Sequence, residues 1–314
     1  MGGGGSKVIP KSDAACSVNA AEPAGTMPPT NISHYKGGKL GVIRLDYDYE
    51  AAPGDIDCWK SYDYEVVYKC VPGLTFDVCQ SGRIPDPVKE ELRQSVSFLV
   101  KQGVHGITGD CGFMMYLQDI VRDLPDTRVP VFMSALAQLP AVECAYGKGE
   151  KIAIFTANGQ TLEPMRELIR SECGGLDTNE EKFVIVGCES VPGFEAVERG
   201  EKVDVEKVTP GMVAKAKQVL EEHPDIRAFL MECTELPPYS DAVRHETQLP
   251  VYDAITACNF FMSGVQDNPR FGLNGFQKVF DGTENTYRFG ANLNKRQRSM
   301  LKTKTKTQKL RIDQ

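Results

Sequence analysis

Residues 226–238, IRAFLMECTELPP, combine an apolar strand with a cysteine at its end and a polar loop after it. Ile226–Met231 has the composition of a buried strand. Cys233 stands where this strand gives way to Thr234 and Glu235, whereas a cysteine that only fills a core usually lies inside an element. The position of this thiol therefore predicts a role beyond packing.

The same arrangement occurs once more, in the first half of the chain. Residues 104–112, VHGITGDCG, form an apolar strand followed by Cys111. Each half also begins with a strand rich in β-branched residues, at Lys39–Leu45 in the first half and Lys151–Phe155 in the second. After its cysteine, each half has a further strand with a proline near its start, at 129–132 and 249–252. The offset between the halves is 112 residues at the first strand, 122 at the cysteines and 120 at the prolines. Because these features occur in the same order in both halves, they predict an internal duplication.

A helix is predicted ahead of each cysteine-bearing strand. The first begins at Asp86-Pro87 and ends before Gly103, and the second begins at Thr209-Pro210 and ends before Pro224. Proline in the first turn, and glycine or proline after the last, are typical boundary signals. Apolar side chains recur on one face of each helix: Val88, Leu92, Val96 and Leu99 in the first, and Val213, Ala216 and Leu220 in the second.

This alternation of strands and helices predicts an α/β fold with two pseudosymmetric parallel-sheet domains. The first half-domain is predicted to comprise residues 39–140 plus 250–290, and the second residues 141–249. Ligands of such sheets bind beyond the carboxyl ends of the strands. Because Cys111 and Cys233 both lie at such ends, we expect them to face each other across an interdomain cleft that holds the active site.

The two ends of the chain differ in composition from its middle. Residues 1–38 are rich in Gly, Pro, Ser and Ala, and we interpret them as a flexible leader. Its start, MGGGGSK, matches the myristoylation pattern with Gly2 as acceptor, and a plain glycine-rich leader is the alternative. Residues 291–314 form a basic C-terminal tail, interpreted as solvated or as contacting an anionic surface. We expect membrane contact only if Gly2 is acylated.

Composition argues against several classes of function. The 314 residues carry 36 basic and 43 acidic side chains, and this net charge of −7 argues against nucleic acid as a partner. No apolar run approaches the length that spans a membrane. The ten cysteines form no CxxC pair and the four histidines lack metal-ligand spacing, so we expect reduced thiols and no metal site. Without a secretory signal, an intracellular location is expected, cytoplasmic or organellar.

Two thiols that face a cleft suit proton abstraction from carbon. A cysteine between a strand and a helix is expected to have a lowered pKa, so that its thiolate forms readily. A thiolate can act as a general base toward a carbon acid next to a carboxylate. We expect amides after each cysteine, including that of Gly112, and the Thr234 hydroxyl to bind this carboxylate. Glu235 is a candidate to orient a proton or to bind the cationic group of a small zwitterionic substrate.

Further candidates for substrate binding lie near the expected strand ends or in an aromatic-rich segment. They are Asp46, Tyr47, Thr156, Asn158, Ser134 and Trp59. Aromatic faces would hold a cation that lacks hydrogen-bond donors, and the segment that follows the first strand supplies Tyr47, Tyr49, Trp59, Tyr62, Tyr64 and Tyr68. Carboxylates would hold an ammonium, and the same segment supplies Asp46, Asp48, Asp55 and Asp57. Simple packing of this segment over the domain is an equal alternative, so its composition leaves the cation open.

Most of the other cysteines are interpreted as small apolar core residues, their usual role. These are Cys16, Cys58, Cys70, Cys79, Cys144, Cys173 and Cys188. Cys258 lies in an apolar helical run, and its contact with the site is left open. Cys111 and Cys233 differ from all of these, because the duplication gives them equivalent positions.

The motif Glu232–Pro237, ECTELP, together with one cysteine in each half, resembles the aspartate/glutamate/hydantoin racemase superfamily over residues 39–275. The first motif is looser, with Gly112 where a side-chain donor usually stands. Further stretches are similar to a branch that includes the algal Alma-type dimethylsulfoniopropionate lyases: 44–49, 53–57, 71–75 and 189–194. The resemblance implies a two-domain fold, cofactor-independent cysteine chemistry and a homo-oligomer, either dimer or tetramer.

Three functions remain open at this point. A lyase would convert dimethylsulfoniopropionate to dimethyl sulfide and acrylate by removing the α proton, and it needs one base, Cys233, with Cys111 in support. An amino-acid racemase of the aspartate or glutamate type needs both thiols, because the proton leaves one face and returns to the other. A non-enzymatic small-carboxylate-binding protein would use the cleft alone. The loose first motif favours the lyase.

Overall fold

The computed structural model of the chain describes residues 38–173, 182–197 and 199–265. The predicted leader with Gly2 (apart from residue 38), the part of the first half-domain at 266–290 and the basic tail at 291–314 lie outside these residues. None of the helices in the described ranges is long and apolar enough to span a membrane.

Four parallel strands form the first sheet, in the order β2-β1-β3-β4. They are β1 (Lys39–Arg44), β2 (Glu65–Cys70), β3 (Gly106–Gly109) and β4 (Val131–Phe132). The β1 strand lies between β2 and β3, and its four inner residues are buried. Burial on both faces explains the continuous apolar composition of this strand.

The second sheet repeats this order as β6-β5-β7-β8, again with all strands parallel. Its strands are β5 (Lys151–Thr156), β6 (Phe183–Gly187), β7 (Ile226–Met231) and β8 (Val251–Tyr252). Each strand thus has a counterpart in the other sheet. The predicted α/β fold with two pseudosymmetric parallel sheets is confirmed.

Two strands and one boundary differ from the sequence analysis. The β2 and β6 strands were not predicted, although both pair along their full length with the first strand of their sheet. The β8 strand hydrogen-bonds to β7 in the second sheet, so the segment that returns to the first half begins after Tyr252 and not at residue 250. A proline entry marks where β8 starts but not which sheet it joins.

Nine α-helices connect the strands of the described residues: α1 (Phe76–Gln80), α2 (Asp86–Lys101), α3 (Gln118–Arg122), α4 (Leu139–Glu143), α5 (Gly159–Leu162), α6 (Arg166–Glu172), α7 (Val205–Glu222), α8 (Ser240–Thr247) and α9 (Ala254–Ser263). The α2 helix confirms its predicted start at Asp86. It also buries the predicted face of Val88, Leu92, Val96 and Leu99. Gly103, with a φ of +73°, follows its end in the left-handed conformation that glycine tolerates.

The predicted start of α7 at Thr209 is wrong by one turn. The helix begins at Val205, and the Asp204 side chain caps it by accepting a hydrogen bond from the Lys207 amide. Pro210 therefore lies inside the helix, where it lacks one backbone donor. The buried face shifts accordingly, to Val208, Met212, Ala216 and Val219.

One apolar core spans both halves of the molecule. It joins Ile43, Ile107 and Cys111 of the first half to Ile154 and Leu230 of the second. A second cluster lies within the second half. A third packs α9 against the first sheet, through Leu40, Val42, Phe132, Ala254, Cys258 and Met262. Because the halves share an interior, the ends of β3 and β7 are held against each other.

Candidate active site

The two cysteine loops meet directly at the ends of β3 and β7. Cys111 and Cys233 each lie two residues beyond their strand and are only 6% and 7% exposed. The Thr234 hydroxyl of one loop donates a hydrogen bond to the Asp110 carbonyl of the other. This bond brings together the backbones that carry the two thiols.

Gly112 contacts the side chain of Glu232, the residue before Cys233. A β-carbon at position 112 would overlap the Glu232 carboxyl group and would lie 2.7 Å from the Glu232 carbonyl oxygen. The carboxyl group thus fills the space that a side chain at position 112 would need. This packing gives a physical reason for the glycine in the looser first motif.

Glu232 is itself an unusual group, because it is fully buried and has no hydrogen-bond partner for either carboxyl oxygen within geometric limits. Burial raises the pKa of Glu232 to about 7, the nearby Thr156 hydroxyl opposes this shift, and the charge of Glu235 adds to it. Thr156, predicted to bind substrate, is fully buried at the end of β5. Its position favours a contact with Glu232 over one with a ligand.

The Cys233 thiol donates a hydrogen bond of 2.7 Å to the Glu235 carboxylate. Burial raises the pKa of Cys233 well above its usual range, and the charges of Glu235 and Glu232 raise it further. Burial also raises the pKa of Glu235. The expected lowering of the Cys233 pKa is therefore wrong, because the thiol is buried and lies beside carboxyl groups where the sequence suggested amide donors and a helix dipole.

Cys111 has a different neighbour, the thiol of Cys79 on α1. Hydrogen bonding to Cys79 raises the pKa of Cys111, and burial raises it further. Both cysteines belong to the core that spans the halves. Cys79 was interpreted from the sequence as a packing residue, and none of the residues around Cys79 in the sequence predicts its contact with Cys111.

A set of buried carboxyl groups lies behind the cysteine loops. The Arg44 guanidinium donates to Asp57 at 2.9 Å and lies 3.8 Å from the Asp110 carboxylate, which also accepts from the Leu45 amide. Burial raises the pKa of Asp55, Asp57 and Asp110, and the Arg44 charge opposes this shift for the latter two. Carboxyl groups outnumber cations in this set, and their mutual proximity is one reason that their pKa values are raised.

A cleft of ≈ 430 Å³ opens beside this centre, between the ends of β1 and β5. Its lining comprises Asp46, Tyr47, Thr75, Phe76, Asp77, Gln80, Ala157, Asn158, Thr161, Glu189, Phe194, Glu195 and Val197. Four of the lining side chains are acidic, and none of the lysines or arginines that the structure describes lines the cleft. Neither Cys111 nor Cys233 lines this cleft. Tyr47 does, and burial, followed by the charges of Glu235 and Cys233, raises the pKa of its hydroxyl to about 12.

The structure brings three predicted substrate-binding residues to this cleft: Asp46, Tyr47 and Asn158. Tyr47 donates its hydroxyl to the Val197 carbonyl. The Asn158 side-chain oxygen accepts hydrogen bonds from the Gln160 and Thr161 amides in the first turn of α5.

Ser134 and Trp59 do not line the cleft. The Ser134 hydroxyl accepts from the Leu136 amide and so caps a short 3₁₀ helix after β4. Trp59 is 55% exposed on another short 3₁₀ helix. The structure therefore does not bring these two side chains to the cleft, because proximity to a strand end, or to an aromatic-rich segment, does not fix the direction of a side chain.

Most of the remaining aromatic segment packs against the first sheet. Tyr62 and Tyr68 both donate to the Ile56 carbonyl, and Tyr64 donates to Asn259 of α9. Cys258 lies in the same cluster, away from the cleft, where burial raises its pKa to about 12. Packing is thus the role of these residues.

Comparison with known proteins identifies the family, although no family model matches the chain. It is 56% identical over 258 residues to "Dimethylsulfoniopropionate lyase 7" of Emiliania huxleyi (strain CCMP1516), covering 81% of this chain and 75% of the relative. It is 50% identical over 267 residues to "Dimethylsulfoniopropionate lyase" of Durusdinium sp. clade D, covering 85% and 88%. The chain belongs to the dimethylsulfoniopropionate lyase family.

Solved structures similar to this dimethylsulfoniopropionate lyase family member include racemases. A glutamate racemase, RacE1 of Bacillus anthracis, aligns with a TM-score of 0.47 and 15% identity over 73% of this chain and 81% of the racemase. An allantoin racemase of Klebsiella pneumoniae aligns with a TM-score of 0.48 and 16% identity over 73% and 87%.

In this dimethylsulfoniopropionate lyase family member, several residues near the thiols were not predicted from the sequence. Glu232 stands in the second cysteine motif but was given no role, and Cys79 approaches Cys111 from a position that no motif marks. Asp55 and Asp57 were noted as acids in an aromatic segment and within the stretch 53–57, and Asp110 only as part of the first cysteine motif. The closeness of Asp55 and Asp57 in the chain is the one signal that would have suggested a shared carboxyl site.

Proposed function

We propose that this chain cleaves dimethylsulfoniopropionate (DMSP) to dimethyl sulfide and acrylate. The proposal rests on one observation: this chain is 50–56% identical, over 81–85% of its length, to relatives named dimethylsulfoniopropionate lyases. The cysteine site is the part of the structure that supports a mechanism for this reaction.

The charge of the cleft suits the sulfonium end of DMSP. Four acidic side chains line it, together with the aromatic rings of Tyr47, Phe76 and Phe194. A sulfonium is a cation without hydrogen-bond donors, so carboxylates and aromatic faces are its natural contacts. The amino group of Asn158 offers a donor for the carboxylate end.

Cys233 is the proposed base, with Glu235 as the acceptor of its proton. Their hydrogen bond of 2.7 Å allows the thiol proton to pass to the carboxylate. Burial and nearby negative charge oppose this transfer, because both raise the pKa of Cys233. A bound sulfonium offsets that negative charge, so the thiolate forms when substrate is present.

The elimination itself then needs no further acid. The Cys233 thiolate removes a proton from the carbon next to the carboxylate, and the electrons of that bond form the carbon–carbon double bond of acrylate. The bond from the β-carbon to sulfur breaks, and its electron pair leaves with neutral dimethyl sulfide. Because no proton must be returned to the opposite face, Cys111 has a supporting role.

This proposal is tested by supplying DMSP to the purified chain and measuring dimethyl sulfide by headspace gas chromatography and acrylate by liquid chromatography. Cys233→Ala is expected to lose roughly 10²–10⁴-fold in kcat, the range for a general base. Cys111→Ala should lose markedly less. Cys144→Ala is the matched control, because this thiol is exposed, and it should leave the rate unchanged.

Two results would contradict the proposal. Absence of dimethyl sulfide from the wild-type chain would remove the lyase activity. Equal and complete loss in both Cys233→Ala and Cys111→Ala, with D-aspartate or D-glutamate formed from the L-isomers by the wild type, would point to a two-base racemase.

A further inference from the structure

DMSP elimination leaves one surplus proton in the site at each turnover. The substrate is a zwitterion of zero net charge, whereas the products are neutral dimethyl sulfide and the acrylate anion, so one proton must leave. After the reaction Cys233 is again a thiol and Glu235 is a carboxylic acid. The next turnover therefore requires that Glu235 lose its proton, although the adjoining Cys233 is only 7% exposed.

A second, smaller cavity borders Glu235 and shares no lining residue with the cleft. It is lined by Tyr49, Glu50, Ala52, Asp55, Val203, Val205, Glu235, Pro238 and Tyr239. Its volume of ≈ 10 Å³ is about what one water molecule needs. The residue Glu50 is exposed, so the smaller cavity runs from Glu235 toward the surface.

Asp55 is held in this cavity by hydrogen bonds that fix its carboxyl group. The Tyr49 hydroxyl lies 2.8 and 2.9 Å from its two oxygens, and the Asp57 amide donates to one of them at 2.8 Å. The residue is only 2% exposed. Burial, followed by the charge of Glu235, raises the pKa of Asp55, which makes its carboxylate a better proton acceptor.

We propose that the smaller cavity is the proton exit of the enzyme, with Asp55 as its relay residue. The Glu235 carboxylic acid gives its proton to one water in the cavity, the water gives a proton to the Asp55 carboxylate, and Asp55 releases it to solvent on the side of Glu50. No bond other than O–H bonds forms or breaks. The products leave by the cleft, so proton and products take separate routes. This inference rests on the proposed lyase activity.

The test is Asp55→Asn in rapid-quench and steady-state assays of dimethyl sulfide release. The first turnover needs no proton exit, so a burst of one dimethyl sulfide per site should form within about twofold of the wild-type rate. Later turnovers should slow by at least roughly tenfold, toward the 10²–10⁴-fold range of a lost proton transfer. Hence kcat should fall, KM should fall with it, and kcat/KM should stay nearly constant.

Two further variants accompany this test. Tyr49→Phe removes the hydroxyl that holds Asp55 and should lower kcat by a smaller factor with the burst retained, so it carries the test if Asp55→Asn does not fold. Asp63→Asn is the matched control, because Asp63 is exposed in the same segment and lines neither cavity, and it should match the wild type.

The outcomes separate this inference from the proposed function. A wild type that releases no dimethyl sulfide contradicts the lyase activity itself. An active wild type with an equally fast Asp55→Asn variant places the proton exit elsewhere and overturns the relay. A folded Asp55→Asn variant that also loses the burst assigns Asp55 to the first turnover, which overturns the relay as well.

Discussion

Gly112→Ala is predicted to damage the site by separating the two cysteine loops. The added methyl group would overlap the Glu232 carboxyl group and lie 2.7 Å from the Glu232 carbonyl oxygen, whereas ordinary contacts begin at 3.4 Å. Even if the Glu232 carboxyl group turns away, its carbonyl belongs to the backbone, so the loops must part by at least about 0.7 Å. Such overpacking costs about 1–3 kcal/mol.

The effect on catalysis should exceed the effect on stability. A displacement near 1 Å of a reacting group can cost about 10²-fold in rate, so we expect kcat for DMSP to fall by about ten- to a hundredfold. The melting temperature should fall by about 2–12 °C, from roughly 2–4 °C per kcal/mol. Headspace measurement of dimethyl sulfide and a thermal-shift assay give the two quantities.

Gly149→Ala serves as the control for Gly112→Ala, because no atom lies within 4 Å of its added β-carbon. Adding Glu232→Ala to Gly112→Ala should recover part of the lost stability, since it removes the larger of the two overlaps. A Gly112→Ala variant with the kcat and melting temperature of the wild type would refute the described contact between the loops.

Two other predictions concern Glu232 and the aromatic residues. The pKa of Glu232 is raised from 4.5 to about 7, so the folded state binds the carboxyl proton of Glu232 more tightly than the unfolded state. The stability that this proton contributes to the folded state is present below pH 4.5 and is lost as the pH rises through 7. Relative to Glu232→Gln, the unfolding free energy of the wild type should therefore fall by about 3 kcal/mol between about pH 4 and pH 8. Urea titrations at each pH measure this free energy, and the same pH dependence in both proteins would contradict the raised pKa. Tyr47→Ala should raise KM for DMSP several-fold, because the lost contact between the cation and the ring is worth about 1 kcal/mol. Trp59 is exposed, so Trp59→Ala should leave KM unchanged. Equal effects of the two substitutions in initial-rate assays would argue against the cleft as the sulfonium site.

The parts of the fold that local sequence determines could be predicted. Both cysteine-bearing strands, the first strand of each sheet and α2 were recognised, because burial and chain boundaries leave a signature within a few residues. The β2 and β6 strands were missed, since β2 follows an irregular aromatic segment and neither ends in a marked motif. The start of α7 was misplaced because Pro210 outweighed the capping residue Asp204.

The candidate site was predictable in its thiols but not in their surroundings. Duplication marked Cys111 and Cys233, yet the burial that raises the pKa of Cys233 most arises only from tertiary packing. Glu232 and Glu235, whose charges raise this pKa further, flank Cys233 in the sequence, but their effect on the thiol was not anticipated. Glu232 also approaches Gly112 from the other half of the chain, and no local pattern encodes such a contact.

The packing of α9 on the first sheet has a consequence for biosynthesis. Leu40 and Val42 emerge from the ribosome early, but Ala254, Cys258 and Met262, which cover them, emerge only after the whole second half. At about 5–20 residues per second, this apolar face stays uncovered for on the order of ten seconds or more. The first half of the chain therefore completes its folding only near the end of synthesis.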